Sequence, residues 1–385
     1  MDVPKTADVV IIGGGVMGTS TAYHLALKGC PNVLLLERES FFGMQATGRC
    51  AGGIRHQFGT EINVRISLLS LPMLDRFEEE LGQPIDLRYC GYLFLLTNAQ
   101  DVAAFRQQVE MQQRLGAQTE WLQPEQIADI APLVDLDGVL AGTFNAHDGL
   151  ADPNSVVQGY VSGARRLGAR LLNDVDVTGI CVKGGKVQGV ITDQGEIAAP
   201  VVVNAAGPWA GVVGEMVGVP IPVAPVRRQI AVTGPIPQVP PDFPFVIDFA
   251  TGLYFHREGQ GILTGMANPD QPVSFDQSMD MEWELVHLEE AMQRLPILEQ
   301  AGLASRWAGL YEVSPDAHPI LGRVSEVDGF YCIGGFSGHG FQHGPACGLL
   351  LAEEILDGAA HSLDITPLHN DRFREGKLIV EYNVV

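Results

Sequence analysis

The stretch ADVVIIGGGVMG, residues 7–18, decides the fold of this chain. Its first half contains an uninterrupted run of β-branched residues, which predicts a short buried strand over 7–12. The glycines come next, and a helix is predicted over 17–28, ending at Gly29. A second buried strand is predicted over 33–37. Strand, helix and strand within about thirty residues form one β-α-β unit, so the chain opens with the start of a parallel sheet.

The glycines of this stretch have the spacing Gly13-x-Gly15-x-x-Gly18. The first glycine allows a tight turn, the second lets the backbone approach a pyrophosphate, and the third lets helix and strand pack closely. The helix N-terminus adds unpaired N–H groups and the positive end of its dipole. Glu37 ends the second strand, 24 residues after Gly13, where a carboxylate accepts hydrogen bonds from ribose hydroxyls. The pattern predicts a dinucleotide site, although it does not separate NAD from FAD.

Three later segments are also rich in small residues. QATGRCAGGIR (45–55) is a flexible stretch with two cations, which suits a loop beside a diphosphate and a flavin. VVVNAAGPWA (201–210) is a buried strand that runs into small residues and a helix start. GGFSGHGFQHGP (334–345) precedes a helix predicted over 345–356, and its open backbone aims a helix N-terminus at an electron-rich group such as a flavin.

The remaining elements alternate between helical and strand patterns. Helices are predicted over 61–81, 99–116, 153–167 and 282–295, and strands within 86–97, 138–149 and 329–334. Residues 170–204 predict four short strands, and the Pro-rich residues 219–245 predict a crossover into another β region. Nucleotide-type strands therefore recur along the chain, which predicts two interleaved, discontinuous domains.

Composition narrows the class of protein. The 385 residues are 46 % hydrophobic, which excludes global disorder, and the net charge of −22 argues against a nucleic-acid partner. No apolar run is long enough to predict a membrane span, and the N-terminus lacks the pattern of a signal peptide. The spacing of the six cysteines and ten histidines matches no metal site. These features predict a cytoplasmic protein without a bound metal.

Five segments together resemble a known family. They are the glycine motif, ATGRCAGGIRHQFG (46–59), VVNAAGPWA (202–210), GLYEVSPDAHPILG (309–322) and GGFSGHGFQHGP (334–345). They resemble the D-amino-acid-oxidase-type flavoproteins, and among these the group of the sarcosine oxidase β-subunit, the L-proline dehydrogenase β-subunit and glycine oxidase. The resemblance extends over residues 6–360 or so, and GFSGHG is its most specific part.

The resemblance implies an α/β fold in which a Rossmann-like FAD-binding domain is interleaved with an α+β substrate domain built on an antiparallel sheet. We expect the FAD-binding domain in residues 1–80, 150–220 and 310–375, and the substrate domain in 81–149 and 221–309. The expected cofactor is FAD. The expected reaction is oxidation of a C–N bond in an amino acid or N-alkyl amino acid, such as sarcosine or proline, to an imine that hydrolyses.

Site residues follow from the resemblance, motif by motif. It implies that Arg55 binds the substrate carboxylate, that Tyr254 lies above the flavin, and that His339 and Gln342 belong to the catalytic centre. For His339, packing beside the flavin is favoured over a role as general base. The expected cofactor-binding residues are Gly13, Gly15, Val16, Met17, Gly18, Glu37, Arg38, Thr47, Gly48, Arg49, Ala51, Gly52, Val177, Ala205, Gly207, Trp209, Gly335, Phe336, Gly338, His339, Gly340, Phe341 and Gln342.

Two positions depart from the pattern of the monomeric sarcosine oxidases. Those enzymes have a flavin-linked cysteine two residues before the Tyr-x-Val-x-Pro-Asp stretch, where this chain has Gly309, so we expect non-covalent FAD. They also have a lysine after GFSGHGF that helps to activate oxygen, where this chain has Gln342. A neutral amide stabilises a developing superoxide less than a cation does, so we expect an electron acceptor other than oxygen.

Other functions stay open at this point. The chain could be a β-type subunit that binds FAD but needs a partner subunit, with an FMN between them, to pass electrons on. It could also be a primary L- or D-amino-acid oxidase, or a homo-oligomer. A flavin-dependent tRNA-modifying enzyme shares the glycine motif, but the net charge disfavours it. The identity and stereochemistry of the substrate do not follow from the sequence.

Overall fold

The computed structural model describes residues 3–384. Its strands are β1 (Val9–Ile12), β2 (Val33–Leu36), β3 (Gly53–Ile54), β4 (Tyr92–Leu96), β5 (Glu120–Leu122), β6 (Ala141–Asn145), β7 (Gly149–Leu150), β8 (Arg170–Leu172), β9 (Val177–Lys183), β10 (Lys186–Thr192), β11 (Gly195–Ala198), β12 (Val201–Asn204), β13 (Ala224–Thr233), β14 (Phe245–Asp248), β15 (Leu253–Glu258), β16 (Gly261–Met266), β17 (Leu303–Val313), β18 (Ile320–Arg323) and β19 (Phe330–Gly334). Its α-helices are α1 (Val16–Leu27), α2 (Glu61–Asp75), α3 (Phe77–Leu81), α4 (Ala99–Leu115), α5 (Pro124–Ile130), α6 (Pro153–Arg166), α7 (Ala210–Glu215), α8 (Met281–Arg294), α9 (Gly340–Asp357) and α10 (Asp371–Glu375). Short 3₁₀ turns cover Gly207–Trp209, Pro296–Gln300 and Thr366–Leu368.

The first sheet has six strands in the order β18-β19-β12-β1-β2-β8. All of its pairs are parallel except the antiparallel pair β18–β19. The strand β1 lies in the middle and is fully buried, which explains its unbroken apolar sequence. Because five strands run the same way, their carboxyl ends meet at one edge of the sheet. This is the edge at which α/β sheets bind ligands.

The second sheet has eight strands in the order β17-β13-β16-β15-β14-β4-β6-β5. It is antiparallel apart from the pair β14–β4, which is parallel because a long crossover separates these two strands in the chain. Smaller sheets are formed by β11-β10-β9 and by β3-β7. The α/β fold expected from the sequence is confirmed, with a Rossmann-like parallel sheet beside a mainly antiparallel one. The long strand β17 runs through residue 310, where a domain boundary is predicted, and the domain division stays a prediction.

Several elements differ from the sequence prediction. The segment 170–204 contains five strands instead of four, and the helical pattern over 61–81 breaks at Arg76 into α2 and α3. The helix α9 begins at Gly340, five residues before the predicted start, and has Pro345 inside it. The Ser70 hydroxyl of α2 repairs the backbone there, since it donates to the Gln342 carbonyl (2.5 Å) and accepts from the Ala346 N–H (3.3 Å). This long-range contact lets a helix run through a proline.

Within residues 3–384, every helix is too short or too polar to cross a bilayer.

Candidate active site

A large cavity of about 370 Å³ lies at the carboxyl edge of the parallel sheet and extends to the end of β17. Its volume is within the range typical of small-molecule sites. Among the residues expected to bind the cofactor, those that line this large cavity are Gly13, Gly15, Val16, Met17, Glu37, Arg38, Thr47, Val177, Ala205, Gly207, Trp209, Gly338, Gly340 and Phe341. Four distant parts of the sequence therefore converge on one space.

The glycine motif forms a cradle that other residues could not form. Gly13 has φ +111°, and a Cβ on it would overlap the Ala205 carbonyl. A Cβ on Gly18 would overlap the Gly13 carbonyl, so this glycine sets the distance between β1 and α1. A Cβ on Gly15 would come within 3.1 Å of the Thr47 hydroxyl, which accepts from the Val16 N–H at 3.2 Å. The bare backbone at the start of α1 suits a pyrophosphate.

The far end of the large cavity contains a carboxylate and an aromatic stack. The Glu37 carboxylate accepts from the Gly14 N–H (2.6 Å) and the Glu39 N–H (2.8 Å), so it shapes the turn that it faces. Burial raises the pKa of the Glu37 carboxyl above its usual range. The Arg38 guanidinium lies 3.9 Å from the centre of the Trp209 ring, and this contact forms a wall of the cavity.

A small cavity of about 70 Å³ adjoins the large one. Cys50, Tyr311, Gly338 and Phe341 line both cavities, so the two spaces share a wall. Besides Gly338 and Phe341 of this shared wall, six more of the residues predicted from the sequence line the small cavity: Ala51, Gly52, Arg55, Tyr254, His339 and Gln342. The four residues predicted to be catalytic are thus brought together, although they come from three distant segments of the chain.

Arg55 provides the charge of the small cavity. The residue is only 6 % exposed, and its guanidinium donates to the carbonyls of Gln57 and Asn383, the latter at 2.8 Å. It lies over the Phe58 ring at 4.0 Å. No carboxylate among residues 3–384 lies within 4.0 Å of it. Burial lowers the pKa of the guanidinium, yet an arginine stays charged in proteins. The carboxylates of Glu381 and Asp148 act on this cation from a greater distance, and a buried cation with no carboxylate in contact favours an anionic ligand.

Tyrosines form much of the remaining wall. Tyr92 stacks on Phe245 with ring centroids 4.1 Å apart, and Tyr254 and Tyr311 complete the group. Burial raises the pKa of all three phenols, so they stay neutral at physiological pH. The Arg228 guanidinium lies 5.0 Å from the Tyr311 ring centre, behind the wall. These phenols offer hydrogen bonds without adding negative charge.

Gln342 and His339 close the cavity from the start of α9. The Gln342 side-chain oxygen accepts from the Arg55 N–H at 2.6 Å, so this amide holds the backbone that carries the cation. His339 is 6 % exposed, and its Nε2 has no hydrogen-bond partner within the part of the chain that the structure describes. Burial, followed by the charges of His343 and Arg55, lowers the pKa of His339 well below its usual range. Its imidazole is therefore neutral.

Five residues expected to bind the cofactor are not among those that line the two cavities, and their role at the cofactor stays a prediction. Gly18 acts through helix packing, and Gly48 serves a turn in which its N–H donates to the Gly43 carbonyl at 2.8 Å. The Arg49 guanidinium donates to the Ala308 carbonyl at 2.8 Å and to the Met44 carbonyl at 3.3 Å. Gly335 faces Ser314 and Val223, and Phe336 is fully buried in the core beneath α9.

Sequence reasoning missed several residues of the site. Tyr92 belongs to the fully buried strand β4, where an aromatic residue indicates core packing. Tyr311 and Glu312 lie inside the segment GLYEVSPD that supported the resemblance, and both line the large cavity. For these two, the signal was present in the sequence. Among residues 3–384, no group of three or more metal-binding side chains could hold an ion.

Comparison with known proteins identifies the family. Residues 8–354 match the family described as FAD dependent oxidoreductase (DAO). The chain belongs to this family. Its two cavities and bare glycine cradle fit the FAD that the family binds.

Individual relatives share a third of the sequence or less. The chain is 32 % identical to human mitochondrial sarcosine dehydrogenase (95 % of this chain, 42 % of the relative) and to rat mitochondrial dimethylglycine dehydrogenase (95 % and 45 %). It thus spans less than half the length of these relatives. It is 30 % identical to bovine FAD-dependent oxidoreductase domain-containing protein 1, covering 99 % of this chain and 88 % of the relative.

Solved structures with the same fold include L-proline dehydrogenase from P. horikoshii, with a TM-score of 0.92 and 33 % identity over 98 % of this chain and 100 % of that one. Glycine oxidase from Geobacillus kaustophilus has a TM-score of 0.85 and 23 % identity over 96 % and 99 % of the two chains, a likeness of fold.

Proposed function

We propose that this protein oxidises the C–N bond of a small amino acid or N-alkyl amino acid to an imine that then hydrolyses. FAD is bound in the large cavity and the substrate in the small one. The observation that carries this proposal is that Arg55 is buried in the wall of the small cavity, beside the large one, with no carboxylate from the described residues within 4.0 Å. The names of the relatives, sarcosine, dimethylglycine and L-proline dehydrogenases, support the substrate class.

Arg55 binds the substrate carboxylate. A guanidinium offers a carboxylate two parallel hydrogen bonds, which fix orientation as well as position. The backbone of Arg55 is held by Gln342, and two carbonyls hold the guanidinium itself, so the cation is preorganised. Anchored in this way, the substrate has its amine and α-carbon in a defined orientation relative to the shared wall.

The rest of the small cavity favours the neutral form of the substrate amine. Every titratable side chain on its wall other than Arg55 is an uncharged tyrosine, cysteine or histidine. A cation without a facing carboxylate lowers the pKa of a nearby ammonium group. Loss of that proton frees the nitrogen lone pair, which C–N oxidation requires. The chemistry that FAD supplies when bound is acceptance of two electrons. The neutral His339 imidazole and the phenols are the groups at this wall that can exchange hydrogen bonds with the neutral amine, which binds after it has lost its proton to solvent.

The size of the small cavity favours a small substrate. At about 70 Å³, beside a large cavity of about 370 Å³, it offers room for a few non-hydrogen atoms beyond the anchored carboxylate. Aromatic rings and the aliphatic side chains of Ile247 and Val384 border this space. Sarcosine, proline or a related secondary amine suits such an apolar, restricted pocket.

The electron acceptor is proposed to be a molecule other than oxygen. Gln342 contributes no positive charge, and His339 is neutral because of its burial. Arg55 is the charged group of the small-cavity wall, and a bound carboxylate neutralises it. The Arg228 guanidinium is not part of this wall and lies 5.0 Å from the Tyr311 ring centre. A wall whose cation is neutralised by the substrate stabilises a developing superoxide poorly.

The direct test of this function is anaerobic bleaching of the flavin by a panel of amino acids and N-methyl amino acids. Arg55→Lys keeps the charge but loses the two-pronged geometry, and we expect kcat/KM to fall about 30-fold, equivalent to about 2 kcal/mol for a charged hydrogen bond. Arg257→Lys is the matched control, because two backbone carbonyls hold that guanidinium as well, far from both cavities. Unchanged kcat/KM in Arg55→Lys, or loss of flavin alone, would remove Arg55 from substrate binding.

A second candidate function is that of an FAD-binding subunit that needs a partner chain. It is favoured by apolar side chains exposed beside the large cavity: Phe41 is 69 % and Phe275 44 % exposed, and Phe275 stacks on Trp209 of the cavity wall at 5.3 Å. The purified chain alone should then reduce its flavin with substrate but pass electrons slowly to a dye. Rapid turnover with the dye would exclude the need for a partner.

A further inference from the structure

The wall of the large cavity contains an acidic side chain, Glu312, on the side of the second sheet. Glu312 lies near the end of β17, and its backbone carbonyl accepts from the Ser337 N–H at 3.0 Å, which fixes its position. Its side-chain Oε2 is buried and lacks a hydrogen-bond partner within residues 3–384. A buried carboxyl oxygen without a partner is costly, and such exceptions call for a ligand or a function.

Two glycines lie beside this carboxyl, and one of them, Gly207, lines the large cavity together with Glu312. A Cβ on Gly207 would lie 3.6 Å from Oε2, and a Cβ on Gly334 would lie 3.5 Å from it. These glycines follow β12 and end β19, two parallel strands whose carboxyl ends border the large cavity. Glu312 therefore faces the cavity from the opposite sheet, across the edge at which the glycine cradle lies.

The surroundings of Glu312 contain no cation to pair with it. No Lys, Arg or His of the described chain forms an ion pair with this carboxyl. From β19, the Cys332 thiol faces it, and burial together with the Glu312 charge raises the pKa of that thiol, so it is neutral. Arg372, beyond Cys332, is already paired with Asp316 at 2.8 Å. The backbone N–H groups of Gly335 and Phe336 act on the carboxyl and lower its pKa, but the effect of burial is larger.

We propose that Glu312 is a further cofactor-binding residue, which enters the complex as a neutral carboxylic acid and donates a hydrogen bond to an oxygen of the bound dinucleotide. An ionised carboxylate there would repel the phosphates, whereas the neutral acid is a donor. Burial raises the pKa of Glu312 to about 7, so both forms are populated near neutral pH. The acceptor is a phosphate oxygen or the oxygen of a ribityl hydroxyl, and either can accept a hydrogen bond from a carboxylic acid. The inference rests on the FAD site proposed above.

The sign of the pH effect follows from this assignment. FAD binds the protonated form, so its affinity is constant below the pKa of Glu312 and weakens as the pH rises through about 7. The dissociation constant should increase by up to about tenfold per pH unit above that value. Glu37, whose pKa is also raised by burial, lines the same cavity, so its contribution must be subtracted.

The experiment is a fluorescence titration of FAD into the flavin-free full chain at pH 6 to 9. Glu312→Gln keeps the shape and a donor, so it should bind FAD as the wild type does at pH 6 and lose most of the pH dependence, while Glu37 is retained. Glu312→Leu has no donor and should bind FAD about tenfold or more weakly at pH 6. Asp242→Asn, at an exposed turn, controls for the loss of one negative charge.

The same titration with ADP separates the two acceptors. If Glu312→Leu weakens the binding of ADP as well as that of FAD, the acceptor is a phosphate oxygen. If it weakens the binding of FAD alone, the acceptor is a ribityl oxygen. An equal pH slope in wild type and Glu312→Gln, or unchanged FAD affinity in Glu312→Leu, would overturn the role of Glu312 and leave the FAD site intact. Absence of FAD binding by the wild type at every pH would instead refute the FAD site itself.

Discussion

Gln342 allows a sharp test of why this site is expected to avoid oxygen. The Gln342 side-chain oxygen accepts from the Arg55 N–H at 2.6 Å, so any substitution has two separable consequences. Gln342→Lys removes the acceptor and adds a cation. Gln342→Met removes the acceptor and adds no charge. The ratio of the two variants isolates the effect of the charge.

The magnitudes differ enough to be measured. A unit charge about 4 Å from a developing anion contributes about 4 kcal/mol at an effective dielectric constant near 20. Half of that would speed the reaction of reduced enzyme with oxygen about 30-fold in Gln342→Lys relative to Gln342→Met. The lost acceptor leaves a buried N–H unpaired, which costs about 1–3 kcal/mol and should raise KM for the amino acid in both variants.

The assay reduces the enzyme anaerobically with substrate and mixes it in stopped flow with air-saturated buffer or with a dye. Because burial beside Arg55 lowers the pKa of an introduced lysine, the gain should be greatest at low pH and fade as the pH rises. Equal reoxidation of the Lys and Met variants by oxygen at pH 6 would refute the charge argument. A KM that is unchanged in both variants would refute the positioning of Arg55 by Gln342.

Three further predictions concern the buried acids and the flavin. Asp148 is fully buried and accepts hydrogen bonds from the His56 N–H at 2.9 Å and from the Gln57 side-chain amide at 3.1 Å, so it holds the two residues that follow Arg55 in the chain. Asp148→Asn should therefore raise KM severalfold with little loss of bound flavin. Steady-state kinetics measures the first effect and absorbance the second. Burial raises the pKa of Glu312 in the folded protein to about 7, against an ordinary value of 4.5, so its stabilising contribution is complete below pH 4.5 and is lost as the pH rises through 7. In thermal unfolding of the flavin-free protein, the free energy of unfolding should therefore fall by about 3 kcal/mol over this pH range. Glu312→Gln should not show this fall. Acid precipitation should release all the FAD into the supernatant, because Gly309 has no side chain that could bond to the flavin, and a Cβ there would lie 3.0 Å from the Arg49 Cβ. A yellow pellet would contradict this expectation.

Local signals predicted the part of the fold that carries the cofactor site. The apolar runs of β1 and β2 and the glycines between them have steric meanings that hold in any context, and the structure has both strands and α1 close to the predicted ranges. The start of α9 was mispredicted because Pro345 usually ends or begins a helix, and the Ser70 hydroxyl that accommodates it is 275 residues away in the sequence. Such a contact leaves no local pattern.

The sequence predicts a site residue where that residue is part of a recognisable motif. It does not predict a site residue whose position depends on packing alone. Arg55 and Gln342 are predicted from their positions in two motifs, but the hydrogen bond between them depends on the tertiary structure. Arg49 is predicted beside the diphosphate and flavin from its motif, but the hydrogen bond of its guanidinium to the Ala308 carbonyl could not be predicted from it. The sequence around Tyr92 is continuously apolar and predicts a core residue, because the strand is buried on both faces. The direction in which a side chain points depends on neighbours that the motif does not contain.

We propose that Arg55 recognises the carboxylate of the amino acid whose C–N bond is oxidised. The most direct measurement compares anaerobic flavin reduction by the best amino acid of the panel with reduction by the same amine lacking the carboxylate, such as pyrrolidine for proline or dimethylamine for sarcosine. This is done in the wild type and in Arg55→Met. A buried two-pronged ion pair worth about 3 kcal/mol predicts a preference for the amino acid of about 150-fold in the wild type. That preference should disappear in Arg55→Met. An equal preference in both proteins would contradict the claim.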